Sequence, residues 1–134
     1  MNTVDVSRKL RGAGLRPTRQ RVALAEILYR NGDRHVTAET LHEEAARDDV
    51  RVSLATVYNT LNQFTQAGLL REVAIEGSKT YFDTNTSSHH HFYIEKEGRL
   101  FDIPGGVDVV RVPEAPDGME VSRIDVIVRL AEKA

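Results

Sequence analysis

The chain has 134 residues, 40% hydrophobic, 28% charged and 6% aromatic, a balance that belongs to a folded globular protein and not to a disordered one. Cysteine is absent, which excludes disulfides, thiolate zinc sites and cysteine nucleophiles together, so any bound metal must use histidine and carboxylates. The net charge of -2 hides an uneven distribution: residues 1–30 carry seven Arg/Lys against two acids, whereas residues 86–134 carry six against nine.

No apolar stretch reaches the roughly 18 residues of a membrane span, and Met1 to Leu10 lacks the apolar run of a signal peptide. A cytoplasmic protein without membrane association is expected. At this length the second half is too small to stand alone, and a partner copy is expected to complete it.

The apolar spacing of Val4 to Leu10 predicts a short first helix stopped by Gly12 and Gly14. Thr18 caps a second helix with an apolar face of Val22, Leu24, Ala25, Ile27, Leu28 and Tyr29, ending at Asn31-Gly32. Thr37 caps a third, with Glu39 in its first turn and an end near Asp48-Asp49. Ser53 caps a fourth, in which Leu54, Val57, Leu61 and Phe64 recur at steps of three and four before Gly68. Leu69 to Ile75 and Thr80 to Phe82 are β-prone runs joined by Glu76-Gly77-Ser78-Lys79, a hairpin. Helices followed by such a hairpin predict a winged helix.

Asn85 to Ser88 is small and polar, a hinge. Beyond it, His89 to Glu95 and Arg99 to Ile103 read as strands turning at Lys96-Glu97-Gly98, and Pro104-Gly105-Gly106 breaks the chain. Val107 to Val112 suits a strand or a short helix, and Val121 to Leu130 a last strand. The expected fold class is α+β: a winged-helix DNA-binding domain over residues 1–85 and a small α/β dimerisation and sensing domain over residues 86–134.

In a helix-turn-helix the second helix enters the major groove, where short polar and methyl-bearing side chains touch base edges. Ser53, Ala55, Thr56, Tyr58 and Asn59 form an almost uncharged exposed face of that kind. Arg16, Arg19 and Arg21 lie close in sequence to the second helix and would contact phosphate or the minor groove. On a strand, residues two apart share a face, so His89 and His91 can hold one ion while His90 points away. His42 falls on the polar side of its helix and reads as a surface residue.

Four segments carry a family resemblance: Gly14-Leu15-Arg16-Pro17-Thr18-Arg19-Gln20-Arg21, His35-Val36-Thr37-Ala38-Glu39, Ser53 to Leu61 with its Ala-Thr-Val-Tyr core, and His89-His90-His91. In this order they resemble the ferric uptake regulator (Fur) family, from about residue 8 to 104. The resemblance implies a homodimer that binds AT-rich palindromic operators in double-stranded DNA and is not an enzyme. It also implies that His35, from the loop before the third helix, Asp83, at the end of the hairpin, and Asp102 join His89 and His91 around a divalent Mn, Fe or Zn ion.

The lack of CxxC pairs, the triple histidine and the short segment Pro113 to Glu120 are most similar to the iron response regulator branch, which implies control of iron homeostasis genes and a haem response, with His89, His90 or His91 as haem ligand. Asp83 instead resembles the iron-site carboxylate of peroxide-sensing repressors, the alternative reading. The family's thiolate zinc site and the haem-binding Cys-Pro motif are both absent. Ser88 stands where a second-site histidine is common, which leaves His90 without metal partners. A metal-dependent hydrolase would also use His-x-His with carboxylates, but it would leave the winged helix unexplained.

Overall fold

The computed structural model describes residues 2–75 and 79–133. It divides into two compact units, Met1–Thr86 and Ser87–Ala134.

The first unit contains α1 (Thr3–Gly12), α2 (Arg19–Tyr29), β1 (His35–Val36), α3 (Ala38–Arg47), α4 (Leu54–Gln66), β2 (Arg71–Ala74) and β3 (Thr80–Asp83). Each helix opens on a side-chain cap that satisfies a backbone N–H left over in the first turn. Asn2 accepts from Asp5, Thr18 from Arg21, Thr37 from Thr40 and Ser53 from Thr56. Three helices also share one ending, in which the N–H two residues beyond the C-cap returns to a carbonyl five residues back: Leu15 to Leu10, Val50 to Ala45, Leu69 to Phe64. The left-handed residue that makes this possible is Gly14, Asp49 or Gly68, and the returning Leu15, Val50 and Leu69 each pack on the core.

That core is built from Val6, Leu10, Leu24, Leu28, Leu41, Val57, Leu61, Phe64 and Phe82, all buried. Each contributes about 1.5–3 kcal/mol when withdrawn from water. The sheet runs β1-β3-β2, antiparallel throughout. With α2, α3 and α4 it makes the expected winged helix. The hairpin turn expected at Glu76-Gly77-Ser78 lies outside the described residues. His35, expected in a loop, sits on β1 instead: its two-residue strand exists because Phe82 and Asp83 supply a backbone edge for Val36 and His35.

The second unit contains β4 (His91–Ile94), β5 (Arg99–Asp102) and β6 (Ile127–Leu130) in the order β5-β4-β6, with β4 antiparallel to β5 and parallel to β6. A parallel pair needs a long crossover. Residues 103–126 supply it, and Gly105 and Gly106 turn the chain with φ of 80° and 86°. Two sequence expectations are corrected here. Val107 to Val112 forms neither strand nor helix, and the last strand begins at Ile127, not Val121. Val110 is 97% exposed, and β-branching alone does not make a strand. The first expected strand is also shorter, since His89 and His90 precede β4. The described regular structure of this unit is β alone.

Candidate metal centre and nucleic-acid interface

Asp83 ends the central strand β3 and is paired across the sheet with His35 on one side and Arg71 on the other. Its carboxylate is 1% exposed. Oδ1 accepts from the Asn85 N–H at 2.9 Å, and Oδ2 lies 3.0 Å from His35 Nε2. The neighbouring residues hold this register. The Arg34 N–H donates to Thr84 Oγ1 at 2.8 Å, the Thr84 N–H donates to the Arg34 carbonyl at 3.0 Å, and the Arg34 guanidinium grips both oxygens of Glu44 on α3 at 2.8 and 2.6 Å.

In the second unit His91 opens β4 opposite Asp102 at the end of β5. His89 Nε2 and His91 Nε2 lie 3.4 and 3.5 Å from the same atom, Asp102 Oδ1. These separations are long for hydrogen bonds. They match donors around a common ion, since metal bonds of about 2.1 Å in a tetrahedron place ligand atoms about 3.4 Å apart. His89 Nδ1 donates to the Ser87 carbonyl at 2.6 Å, so the lone pair is left on Nε2, the nitrogen that faces Asp102.

His90 is set the other way. The Val126 N–H donates to His90 Nδ1 at 3.1 Å, while the His90 backbone carbonyl accepts from Ile103 and the His91 N–H donates to Val126. In neutral His90 the proton is therefore on Nε2 and the lone pair is occupied. The alternation of facing expected from the triple histidine is present, although only His91 belongs to a strand. Within the second unit His89, His91 and Asp102 offer two imidazoles and a carboxylate that could hold a metal ion, and within the first His35 and Asp83 offer one of each.

On α4, Ser53, Ala55 and Asn59 are exposed, and Thr56 and Tyr58 are half-buried. Ser53 is occupied as the cap, its hydroxyl also donating to Thr56 Oγ1 at 2.9 Å. A cleft of about 420 Å³ joins this helix to the start of α2 and is lined by Arg16, Arg21, Thr56, Asn59 and Gln63 among others. Arg16 and Arg19 are exposed. Arg21 is different: Nε and Nη2 donate to Gln63 Oε1 at 3.2 and 3.0 Å, and Nη1 donates to the Arg16 carbonyl at 2.9 Å. It braces α2 against α4.

Sequence reading missed two further links. His42, taken as a surface residue, places Nε2 3.0 Å from the Val52 carbonyl and so pins the turn leading into α4. The Tyr58 hydroxyl donates to Glu39 Oε1 at 3.4 Å, and burial, followed by the charge and hydrogen bond of Glu39, raises its pKa above the usual tyrosine range. A helical wheel shows that both residues are polar but not what stands opposite them.

A four-helix core closed by a three-stranded sheet makes the first unit a winged helix, which carries His35 beside Asp83, while the second unit carries His89 and His91 beside Asp102. Residues 12–109 match the Ferric uptake regulator family, and the chain belongs to it. It is 36% identical over 94 residues to the peroxide-responsive repressor PerR of Staphylococcus aureus, a match spanning 70% of this chain and 63% of that protein. The chain thus covers less than two thirds of the curated relatives it matches. In fold it is similar to the ferric uptake regulator of Pseudomonas aeruginosa with manganese (TM-score 0.72, 24% identity, 96% of this chain and 98% of that one). It is likewise similar to that of Vibrio cholerae (TM-score 0.71, 23% identity, 92% and 96%).

Proposed function

We propose that this protein is a metal-responsive transcription regulator that binds double-stranded DNA as a homodimer, with α4 in the major groove and residues 87–134 as the dimerising unit. The observation that carries the metal reading is the convergence of His89 and His91 on one oxygen of Asp102, with the His89 lone pair directed to the same place. In this reading His35 and Asp83 would join His89, His91 and Asp102 as ligands, so that a bound ion would couple metal occupancy to DNA binding. Imidazoles mixed with carboxylates suit Mn(II), Fe(II) or Zn(II), and the carboxylates favour the harder ions. The bound ion supplies a fixed positive charge that gathers these ligands. The chain's own residues aim the donors: Ser87 sets the His89 tautomer, and Asn85 and Thr84 hold Asp83.

A second reading, for the signal that is sensed, is supported by the similarity to the Staphylococcus aureus peroxide-responsive repressor and by aspartate at position 83. Iron-dependent uptake of one oxygen atom by His35 or His91, seen by mass spectrometry after peroxide, would identify it. Control of iron homeostasis genes through haem is a further reading, and the occupied lone pair of His90 weighs against that residue as the haem ligand. Binding to an AT-rich palindrome, compared for metal-free protein, Mn(II)-loaded protein and protein with added haem, tests the proposal. Equal binding in all three states would overturn the metal response.

A further inference from the structure

One carboxylate in the first unit serves two elements of the DNA-reading surface. Glu39, in the first turn of α3, accepts from the Tyr58 hydroxyl of α4 through Oε1. Its Oε2 lies 3.8 Å from the Lys79 ammonium, immediately before β3. Oε2 is shut off from solvent although the Glu39 side chain is 33% exposed, so the oxygen facing Lys79 has little water to lean on. Lys79 itself is 62% exposed and able to swing outward.

A carboxylate and a DNA phosphate ask the same thing of an ammonium group: charge-assisted hydrogen bonds from its three N–H donors. We infer that Glu39 is an internal competitor for DNA phosphate, holding the Lys79 ammonium and the Tyr58 hydroxyl until duplex DNA displaces it. Lys79 then leaves Glu39 for a backbone phosphate, and the carboxylate stays behind as a negative charge facing the duplex. Both effects weaken the sequence-independent part of binding, which rests on phosphate contacts. The pair is too exposed to matter much to folding, so its role is read in binding. The inference rests on the DNA-binding reading above.

The test uses the full chain loaded with Mn(II), as wild type, Glu39→Gln, Lys79→Gln and the double variant. Each is titrated over a range of salt against a random duplex and against a duplex that the wild type selects from a random pool. Glu39→Gln keeps an oxygen for Tyr58 but releases Lys79. It is expected to bind random duplex several-fold more tightly at each salt concentration, because Lys79 reaches phosphate without first leaving a carboxylate. In the Lys79→Gln background that gain should shrink to the part due to the removed carboxylate charge. Unchanged or weaker binding by Glu39→Gln, or the same gain without Lys79, overturns the inference. A wild type that binds neither duplex overturns the DNA-binding reading instead, and thermal melting of all four proteins checks that the fold is common to them.

Discussion

His89, His90 and His91 are consecutive in sequence and chemically unequal. His89 gives its Nδ1 proton to a carbonyl, His90 takes a backbone N–H on the same atom, and His91 is 2% exposed with Nε2 toward Asp102. Replacing His89 or His91 by Ala should lower Mn(II) affinity by about 100-fold or more, beyond the 10–100-fold typical of losing an outer-shell partner. His90→Ala should leave metal affinity nearly intact while costing about 1 kcal/mol of stability from the lost acceptor of Val126. Metal titration calorimetry and urea unfolding on the three variants separate these outcomes, and equal loss of metal from His90→Ala would require a different ligand set. Tyr58 is similarly divided: its hydroxyl donates to Glu39, and in the proposed reading its ring is the part that meets the bases. Tyr58→Ala should therefore reduce discrimination between selected and random duplex by about 1–3 kcal/mol, and Tyr58→Phe should largely preserve it. Fluorescence-anisotropy titrations with both duplexes measure this directly.

The helices of the first unit end by a common device, and one of them uses an unsuitable residue for it. Gly14 and Gly68 take φ of 82° and 81° without a side chain to crowd, whereas Asp49 stands at φ 59° after α3. Left-handed backbone costs a non-glycine residue roughly 1 kcal/mol. Asp49→Gly should thus stabilise the protein by about 0.5–1 kcal/mol and Gly68→Ala destabilise it by a similar amount, a pair of opposite shifts visible in denaturant midpoints. The α4 ending also carries a proton linkage. The Tyr29 hydroxyl donates to the Leu69 carbonyl at 2.8 Å, and burial pushes its pKa well above the tyrosine range. Above pH about 10 an unfolded tyrosine loses its proton while the folded one keeps it. The contribution is complete below that pH and is lost as pH rises toward the raised folded value. Tyr29→Phe should flatten this alkaline fall in stability between pH 9 and 11.

At the level of the whole molecule the two units are unequally provided with core. The first buries a continuous cluster from Val6 to Phe82, while in the second Tyr93 and Leu100 are the buried apolar side chains and Val109, Val110, Val112, Met119 and Val121 remain exposed. A small domain with so little burial needs a partner surface, which supports a dimer held by packing in the absence of any cysteine or thiolate zinc. Chelation should then weaken DNA binding at concentrations where sedimentation still finds dimers. Clean monomers on chelation would mean that the proposed ion is structural. Among the described residues no helix is long and apolar enough to cross a membrane.

The four helices were legible because capping residues and the apolar repeat are local signals: Asn2 aside, each cap was visible at its own position, and the core face of α4 followed from the spacing of Val57, Leu61 and Phe64. The shared facing of His89 and His91, opposite to that of His90, was legible for the same reason, whereas His35, Asp83 and Asp102 were expected as their partners by family resemblance alone. Tertiary structure decided what depends on distant partners. His35 is on a strand because β3 offers it an edge, and Val107 to Val112 pairs with no strand among the described residues. Arg21 braces a helix while Arg16 stays exposed, since Gln63, 42 positions away, stands opposite one and not the other. Local patterns record backbone hydrogen bonds within a few residues, whereas the Tyr58–Glu39–Lys79 link, the tautomer of His90 and the length of β6 depend on which groups packing brings within about 3–4 Å.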